Sequence, residues 1–249
     1  MLWIAEYDRL SSLTLTVPPG NGAGKTTLLR LLAGKRMASA STITISGSDP
    51  FSAPLEGITY LGMEWVLNPI VRTDISVTEL LASVGGNSFP DRRDELIHVL
   101  DIDVNWHMHA VSDGERRRVQ LAMGLIRPWT VLLLDEVTVD LDVLARARFL
   151  AFLRKETETR GCMVVYATHI LESAQSWATH LVRMSLGKSK IFGDRKTVLE
   201  AEAKKRGMEG EMGLLECVLE WLEEDLIERG PRGVKPSEHK TFADLEKIE

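Results

Sequence analysis

Apolar and polar residues alternate over positions 13–17, Leu-Thr-Leu-Thr-Val, with the two-residue period of a half-buried strand. Pro18-Pro19-Gly20 stops that strand. A leucine-rich stretch at residues 25–33 predicts a helix closed by Gly34. Residues 42–46 and 57–62 predict short strands beside glycines. From about residue 65 to 118 the pattern turns helical, most clearly at 78–84 and 94–100. Ser112 opens a further helix that runs to about Ile126, and Arg127-Pro128 ends it. Residues 130–134 are continuously apolar, as in a strand covered on both faces of a parallel sheet. A helix at 143–157 and a second buried strand at 163–167 follow. Residues 181–185 and 189–192 read as a pair of edge strands around Gly187. Beyond Gly193 lysine and glutamate dominate, with helices expected at 196–205 and 214–228. Pro231-Arg232-Gly233 then breaks the pattern before a charged tail. Strands alternating with helices, plus a helical insertion, predict an α/β fold with a helical subdomain.

Composition narrows the picture. The 249 residues suffice for one large domain or two modest ones. A net charge of −6 argues against a nucleic-acid grip by the chain as a whole. Cys162 and Cys217 are the two cysteines, which is no disulfide framework and points to a reducing compartment. Cys162 lies in an apolar run and reads as a buried thiol. No segment reaches the ~18 apolar residues needed to cross a bilayer. Residues 1–8 show neither a basic leader nor an apolar signal core. The expectation is a cytosolic protein without membrane insertion, with nuclear entry left open.

Four motifs carry chemistry. The first is Gly20-Asn21-Gly22-Ala23-Gly24-Lys25-Thr26-Thr27. Glycines let backbone N–H groups turn toward phosphate oxygens, and the helix that follows adds its positive end. Lys25 supplies a point charge, and the Thr26 hydroxyl a ligand for Mg²⁺. The second is Val131-Leu132-Leu133-Leu134-Asp135-Glu136, an apolar strand delivering two carboxylates at its C-terminal end. Asp135 is placed to hold Mg²⁺ and Glu136 to polarise an attacking water. The third, Val111-Ser112-Asp113-Gly114-Glu115, offers a helix N-terminus as an anion site, with simple capping as the competing reading. The fourth is His169, just past the strand at 163–167, where it can sense a γ-phosphate.

In that order the motifs resemble Walker A, Walker B, the ABC signature and the switch histidine of ATP-binding-cassette ATPases. Val139-Asp140-Leu141-Asp142 is similar to the D-loop that follows Walker B. The resemblance spans roughly residues 13–192. It implies a P-loop NTPase of ABC type over residues 1–192, with the helical signature subdomain at about 65–118. Residues 193–249 form a charged C-terminal helical extension. Tyr60-Leu61-Gly62-Met63-Glu64-Trp65, residues 100–106 and residues 134–142 further resemble the fungal non-transporter ABC ATPases associated with the carbon-catabolite-repression–NOT complex, which have plant relatives. The Ser-Asp-Gly form of the signature, at Ser112-Asp113-Gly114, agrees with that group. The resemblance implies ATP and Mg²⁺ as ligands and a role near transcription regulation or mRNA turnover. It also implies a head-to-tail homodimer, in which ATP at Lys25 of one copy meets Ser112, Gly114 and Asp142 of the other.

The sequence departs from the family pattern in places. Walker A has glycine six residues before its lysine, where this chain has Pro19. The family carries a longer stretch between the proline-glycine turn and Asn21, containing the strand that enters the loop, so the chain reads as internally shortened. Tyr7 and Trp3 are poor substitutes for the aromatic adenine platform. Glu64 stands where the family has the Q-loop glutamine, and it is counted with Thr26 and Asp135 as a metal ligand, with a structural role as the competing reading. Arg116, Arg117 and Arg118 read as solvated, partner-facing charges rather than an RNA contact. A poorly organised loop and a missing platform predict at least about a hundredfold loss of ATP affinity. Residues 13–17 should either take over the P-loop strand's place or leave a vacant slot beside the strand ending at Asp135. Two competing functions stand beside the regulatory ATPase. One is the ATP-binding subunit of a transporter with a separate membrane protein, and the other an interaction protein with impaired turnover.

Overall fold

The computed structural model describes residues 14–17, 23–37, 45, 51, 57–62 and 73–230, with backbone alone at 14–17, 173 and 174. Six strands form one sheet: β1 (Thr14–Val17), β2 (Ile58–Leu61), β3 (Val131–Asp135), β4 (Met163–Ala167), β5 (His180–Ser185) and β6 (Lys188–Asp194). Their order across the sheet is β2-β3-β4-β1-β5-β6. All neighbours are parallel except β5 and β6, which form an antiparallel hairpin.

The apolar run in β3 is covered on both faces. Leu132 and Leu134 belong to a core with Val164, Tyr166 and the helices α2 (Val77–Ser83), α3 (Pro90–Val99), α4 (Asp113–Leu125) and α5 (Val143–Arg160). Val131 and Leu133 face the other way, onto Leu28, Leu29 and Leu32 of α1 (Lys25–Leu32). Burial on both faces replaces the polar alternation of a one-sided strand with an unbroken apolar sequence. α6 (Leu171–Trp177) follows β4, and α7 (Arg195–Lys205) and α8 (Leu214–Arg229) follow β6.

The charged C-terminal part packs on the sheet. Val198, Leu199, Leu214, Val218 and Trp221 share a core with Leu171 and with Leu181 of β5. Arg183 of β5 bonds Glu224 at 2.5 Å, Asp225 at 2.7 Å and the Trp221 carbonyl at 3.1 Å, fixing α8 to the sheet. The boundary drawn after residue 192 falls inside β6, and Asp194 at its end accepts from Thr197 N–H to start α7.

Several elements differ from expectation. The helix expected at 94–100 starts at Pro90, whose fixed φ and missing N–H suit a first helical position. α6 has too few residues to show a period, and it is held by tertiary contacts. Trp177 Nε1 donates to the Leu150 carbonyl at 2.9 Å, and the indole meets the Tyr166 ring edge-on. β5 is not an edge strand, because β1 pairs with it. The strand expected at 42–46 lies outside the described residues except for the buried Ile45.

β1 occupies an interior slot, in register with β4 from Thr14↔Val164 to Val17↔Ala167 and with β5 at Leu15↔His180 and Thr16↔Leu181. No slot stands empty beside β3, whose neighbours are β2 and β4. Residues 14–17 thus enter the sheet directly upstream of α1, one strand removed from β3.

Candidate active site

The site lies where β3, β4 and the start of α1 meet, at the C-terminal ends of parallel strands. Gly24 caps α1 in the left-handed region, φ 98°, which a side chain rarely adopts. The carbonyl of Ala23 accepts from Gly187 N–H at 3.0 Å, so the β5–β6 turn holds the residue that precedes the Gly24 cap. The first turn of α1 has no acidic residue and no side-chain cap, leaving its N-terminal dipole available to an anion. Burial lowers the pKa of Lys25, the first helical residue, while the negative charges of Glu136 and Asp135 oppose that shift. Thr26 is exposed, and Thr27 accepts from Arg36 at 3.3 Å.

Asp135 ends β3 and is buried, 5% exposed. Its Oδ2 accepts from the Tyr60 hydroxyl of β2 at 3.2 Å. Glu136 follows at φ 56°, a strained backbone for a glutamate that costs on the order of 1–3 kcal/mol. Its N–H donates to the carbonyl of Ala167, at the end of β4, at 3.0 Å. Both the Nδ1 and the backbone N–H of His169 meet Glu136 Oε2, at 2.7 and 3.2 Å. The sheet therefore brings Lys25, Asp135, Glu136 and His169 into one charged site. A phosphate chain with a divalent cation fits this donor set: an open helix N-terminus, an ammonium group, and a buried carboxylate whose phenolic partner is neutral.

The residues assigned to the opposite face of a nucleotide are built on α4 and α5. Ser112 caps α4 in a capping box, accepting from Glu115 N–H at 3.3 Å while its own N–H donates to Glu115 Oε2 at 2.7 Å. Of the two readings of this N-terminus, capping is the arrangement present in the single chain. Asp113 and Glu115 occupy its first turn, and the box holds the Glu115 carboxyl below its ordinary value through its bonds to Ser112. A side chain at Gly114 would come within 3.0 Å of the Asp140 carbonyl, so the start of α4 lies tightly on the segment after β3. Asp142 caps α5 by accepting from Ala145 N–H at 2.9 Å, and it pairs with Arg118.

The three arginines correct the reading of them as solvated charges. Arg117 is fully buried and donates to Gln120 Oε1 at 2.6 Å and to the Gly62 carbonyl at 3.2 Å, with Asp140 at 3.3 Å. Arg116 bonds Asp113 and the Met108 carbonyl, and Arg118 bonds Asp101 and Asp142. They bind α4 to its own subdomain and to the segment after β3 instead of standing in solvent. Asn21, Gly22, Glu64, Tyr7 and Trp3 lie outside the described residues. Tyr60 was missed as a site residue, and its place two strand positions before Gly62 gave no local signal. Cys162 and Cys217 are buried thiols, pushed up to about 11 and about 12 by burial.

The sheet order, the glycine-capped α1 and the carboxylate pair at the end of β3 define a P-loop NTPase fold. Residues 19–139 match the family described as ABC transporter. The chain is 32% identical over 167 residues to the cytochrome c biogenesis ATP-binding export protein CcmA of Bradyrhizobium diazoefficiens, covering 66% of this chain and 82% of that protein. It is 52% identical over 185 residues to CCR4-associated factor 16 of Saccharomyces cerevisiae, covering 68% of this chain and 64% of that protein. It is 44% identical over 225 residues to ABC transporter I family member 20 of Arabidopsis thaliana, covering 85% and 65%. The chain thus spans somewhat less than two thirds of the length of these last two relatives. The ATP-binding subunit of an ABC transporter superposes with a TM-score of 0.67 at 20% identity, covering 84% of this chain and 87% of that one. A bacterial ABC transporter cassette solved as a dimer superposes at 0.62 with 18% identity, covering 75% and 86%. The chain belongs to the ABC family of ATP-binding domains, a family of ATP hydrolases. Among the described residues no helix is long and apolar enough to cross a membrane.

Proposed function

We propose that this chain binds MgATP between two copies packed head to tail and couples nucleotide binding and hydrolysis to a regulatory partner. The observation that carries the reading is the assembly of Lys25, Asp135, Glu136 and His169 at one end of the parallel sheet. Asn21, Gly22, Ala23 and Gly24 line the phosphate chain with backbone N–H groups, with Lys25, Thr26 and Thr27 at the outer phosphates. Thr26, Asp135 and Glu64 hold Mg²⁺, which neutralises phosphate charge when bound. Glu136 orients and deprotonates the attacking water, and His169, bonded to Glu136, monitors the γ-phosphate. Ser112, Gly114 and Asp142 of the second copy close the site from the other side, with Glu115 giving up its bond to Ser112.

The name of the yeast relative, CCR4-associated factor 16, supports a partner in transcription regulation or mRNA turnover, acting in the cytoplasm with access to the nucleus. A second reading is favoured by Pro19, which stands where the family's loop has glycine: an interaction protein that keeps the fold and has lost turnover. A third, the ATP-binding subunit of a transporter, is favoured by the export protein among the relatives, and co-sedimentation with membranes would mark it.

Isothermal titration of MgATP into the purified chain decides between the first two readings, beside a version with a longer family-type loop restored before Asn21. The shortened loop is expected to bind at least about a hundredfold more weakly than the restored one. A micromolar dissociation constant without restoration would remove the impaired reading. Failure of both versions to bind would remove the ATPase.

A further inference from the structure

A second constellation lies on the helical subdomain, built from elements the nucleotide chemistry does not use. Ser76 and His107 form an isolated antiparallel bridge. Val77 N–H donates to the Trp106 carbonyl, and Met108 N–H to the Ile75 carbonyl, both at 3.0 Å. Extended backbone sends successive side chains to opposite faces. Met108 is fully buried and Ile75 packs on the same core, so their neighbours Asp74 and His107 point outward. The chain then turns, with Ala110 N–H donating to the His107 carbonyl at 2.9 Å, and this turn returns His109 to the same spot. His107 Nδ1 lies 2.6 Å and His109 Nδ1 3.1 Å from Asp74 Oδ1. The two rings meet edge-on with centroids 6.0 Å apart.

We propose that Asp74, His107 and His109 form a binding site for a transition-metal dication of the zinc or copper class. One donor atom from each residue lies within 4.8 Å of the others, close enough for a single ion to reach all three after small side-chain rotations. Two imidazoles and a carboxylate suit Zn²⁺, Cu²⁺ or Ni²⁺, whereas Mg²⁺ and Ca²⁺ prefer an all-oxygen shell. The ion takes the place of the hydrogen bonds that now join the two Nδ1 atoms to Asp74, with each ring carrying its proton on Nε2 once Nδ1 is a ligand. About half of each imidazole and more of the carboxylate stay in contact with solvent, which leaves open positions for water or for a ligand from another molecule.

The location gives the site a consequence. Asp74 lies two residues before the cap of α2, and His109 three residues before Ser112, the cap of α4. A bound ion pins the lead-in of one helix to the lead-in of the other, and so restrains the signature segment. That link to catalysis rests on the role proposed above for Ser112, but the existence of the site does not.

The test titrates ZnCl₂ into the full chain in a non-chelating buffer, read by calorimetry and by competition with a chromophoric chelator. Because Glu136 and His169 could also hold zinc, the Glu136→Gln/His169→Ala chain is titrated in parallel. We expect about one zinc ion per chain, retained in that double variant. Losing even an outer-shell partner costs ~10–100-fold in metal affinity, so His107→Ala and His109→Ala should each weaken binding by at least tenfold. All three ligands are exposed, so these variants should melt with the parent when no metal is present. Co²⁺ should add visible absorption bands to the parent but not to the histidine variants. Zinc binding unchanged by both histidine substitutions, or none in the parent, overturns the proposal. Failure of MgATP to bind even the loop-restored chain, with zinc binding intact, would sink the nucleotide reading and leave this one standing.

Discussion

Arg117 is the buried charge whose removal the structure lets us weigh. Arg117→Met keeps much of the side-chain volume and deletes the guanidinium. The Gly62 carbonyl would keep a donor, because Gln120 Nε2 reaches it at 3.0 Å. Gln120 Oε1 would lose its 2.6 Å bond to Arg117 in a buried position, at a cost of about 1–3 kcal/mol. Asp140 would lose a 3.3 Å partner, but its side chain is 35% exposed and water can replace the arginine. The ~3–5 kcal/mol typical of breaking a fully buried pair is therefore a ceiling. We expect a net destabilisation of about 2–3 kcal/mol. For a chain of this size each kcal/mol moves the melting temperature by roughly 2–4 °C, so a drop of about 4–12 °C should follow. Urea and thermal unfolding followed by circular dichroism measure both quantities. Arg117→Met/Gln120→Leu, which also removes the Gln120 donor to the Gly62 carbonyl, should lose further stability rather than regain it. If Arg117→Met stays within about 0.5 kcal/mol of the parent, the buried network is not holding α4 in place and the reasoning fails.

Three further outcomes are expected. Glu136→Gln in the loop-restored protein should retain ATP and slow hydrolysis by about 10²–10⁴-fold in a phosphate-release assay, and unchanged turnover would exclude Glu136 as the base. Mixing Lys25→Ala chains with Ser112→Arg chains in the same background should leave one intact composite site per mixed dimer. Activity no higher than in either variant alone would count against shared sites. Asp142 and Glu115 are held below their ordinary values of 3.8 and 4.5, the first chiefly by the Ala145 N–H and the second by Ser112. Their stabilisation is therefore complete above those values and is lost as pH falls through the depressed ones. Unfolding titrations across that acid range should lose part of their slope in Asp142→Asn/Glu115→Gln, whereas an unaltered profile would show that the caps carry no such linkage.

What could be read from the chain was local. The run in β3 announces a buried strand because each residue packs on one face or the other, and the carboxylates after it inherit their position from that strand. Ser112 followed three residues later by Glu115 is a capping box in the sequence itself. What could not be read depends on partners far along the chain. Arg117 sits in a run of three arginines that looks solvated, but its acceptor, the Gly62 carbonyl, is 55 positions upstream. The bond between Glu136 and His169 spans 33 positions, as does that between Asp74 and His107, and only the fold brings either pair together. Pro90 was a legible start signal for α3, passed over because the apolar period becomes clear only later in that helix.

The interior position of β1 sets the timing of assembly on the ribosome. Residues 14–17 leave the exit tunnel while their pairing partners at 164–167 and 180–181 are still to be translated. At synthesis rates of about 5–20 residues per second, that interval is on the order of ten seconds. During it the nascent chain carries a strand that closes the sheet only when β4 and β5 have emerged. A factor that shields residues 14–17 while they are extended, or a pause in translation after β5, would therefore act on the yield of folded protein without touching the nucleotide site.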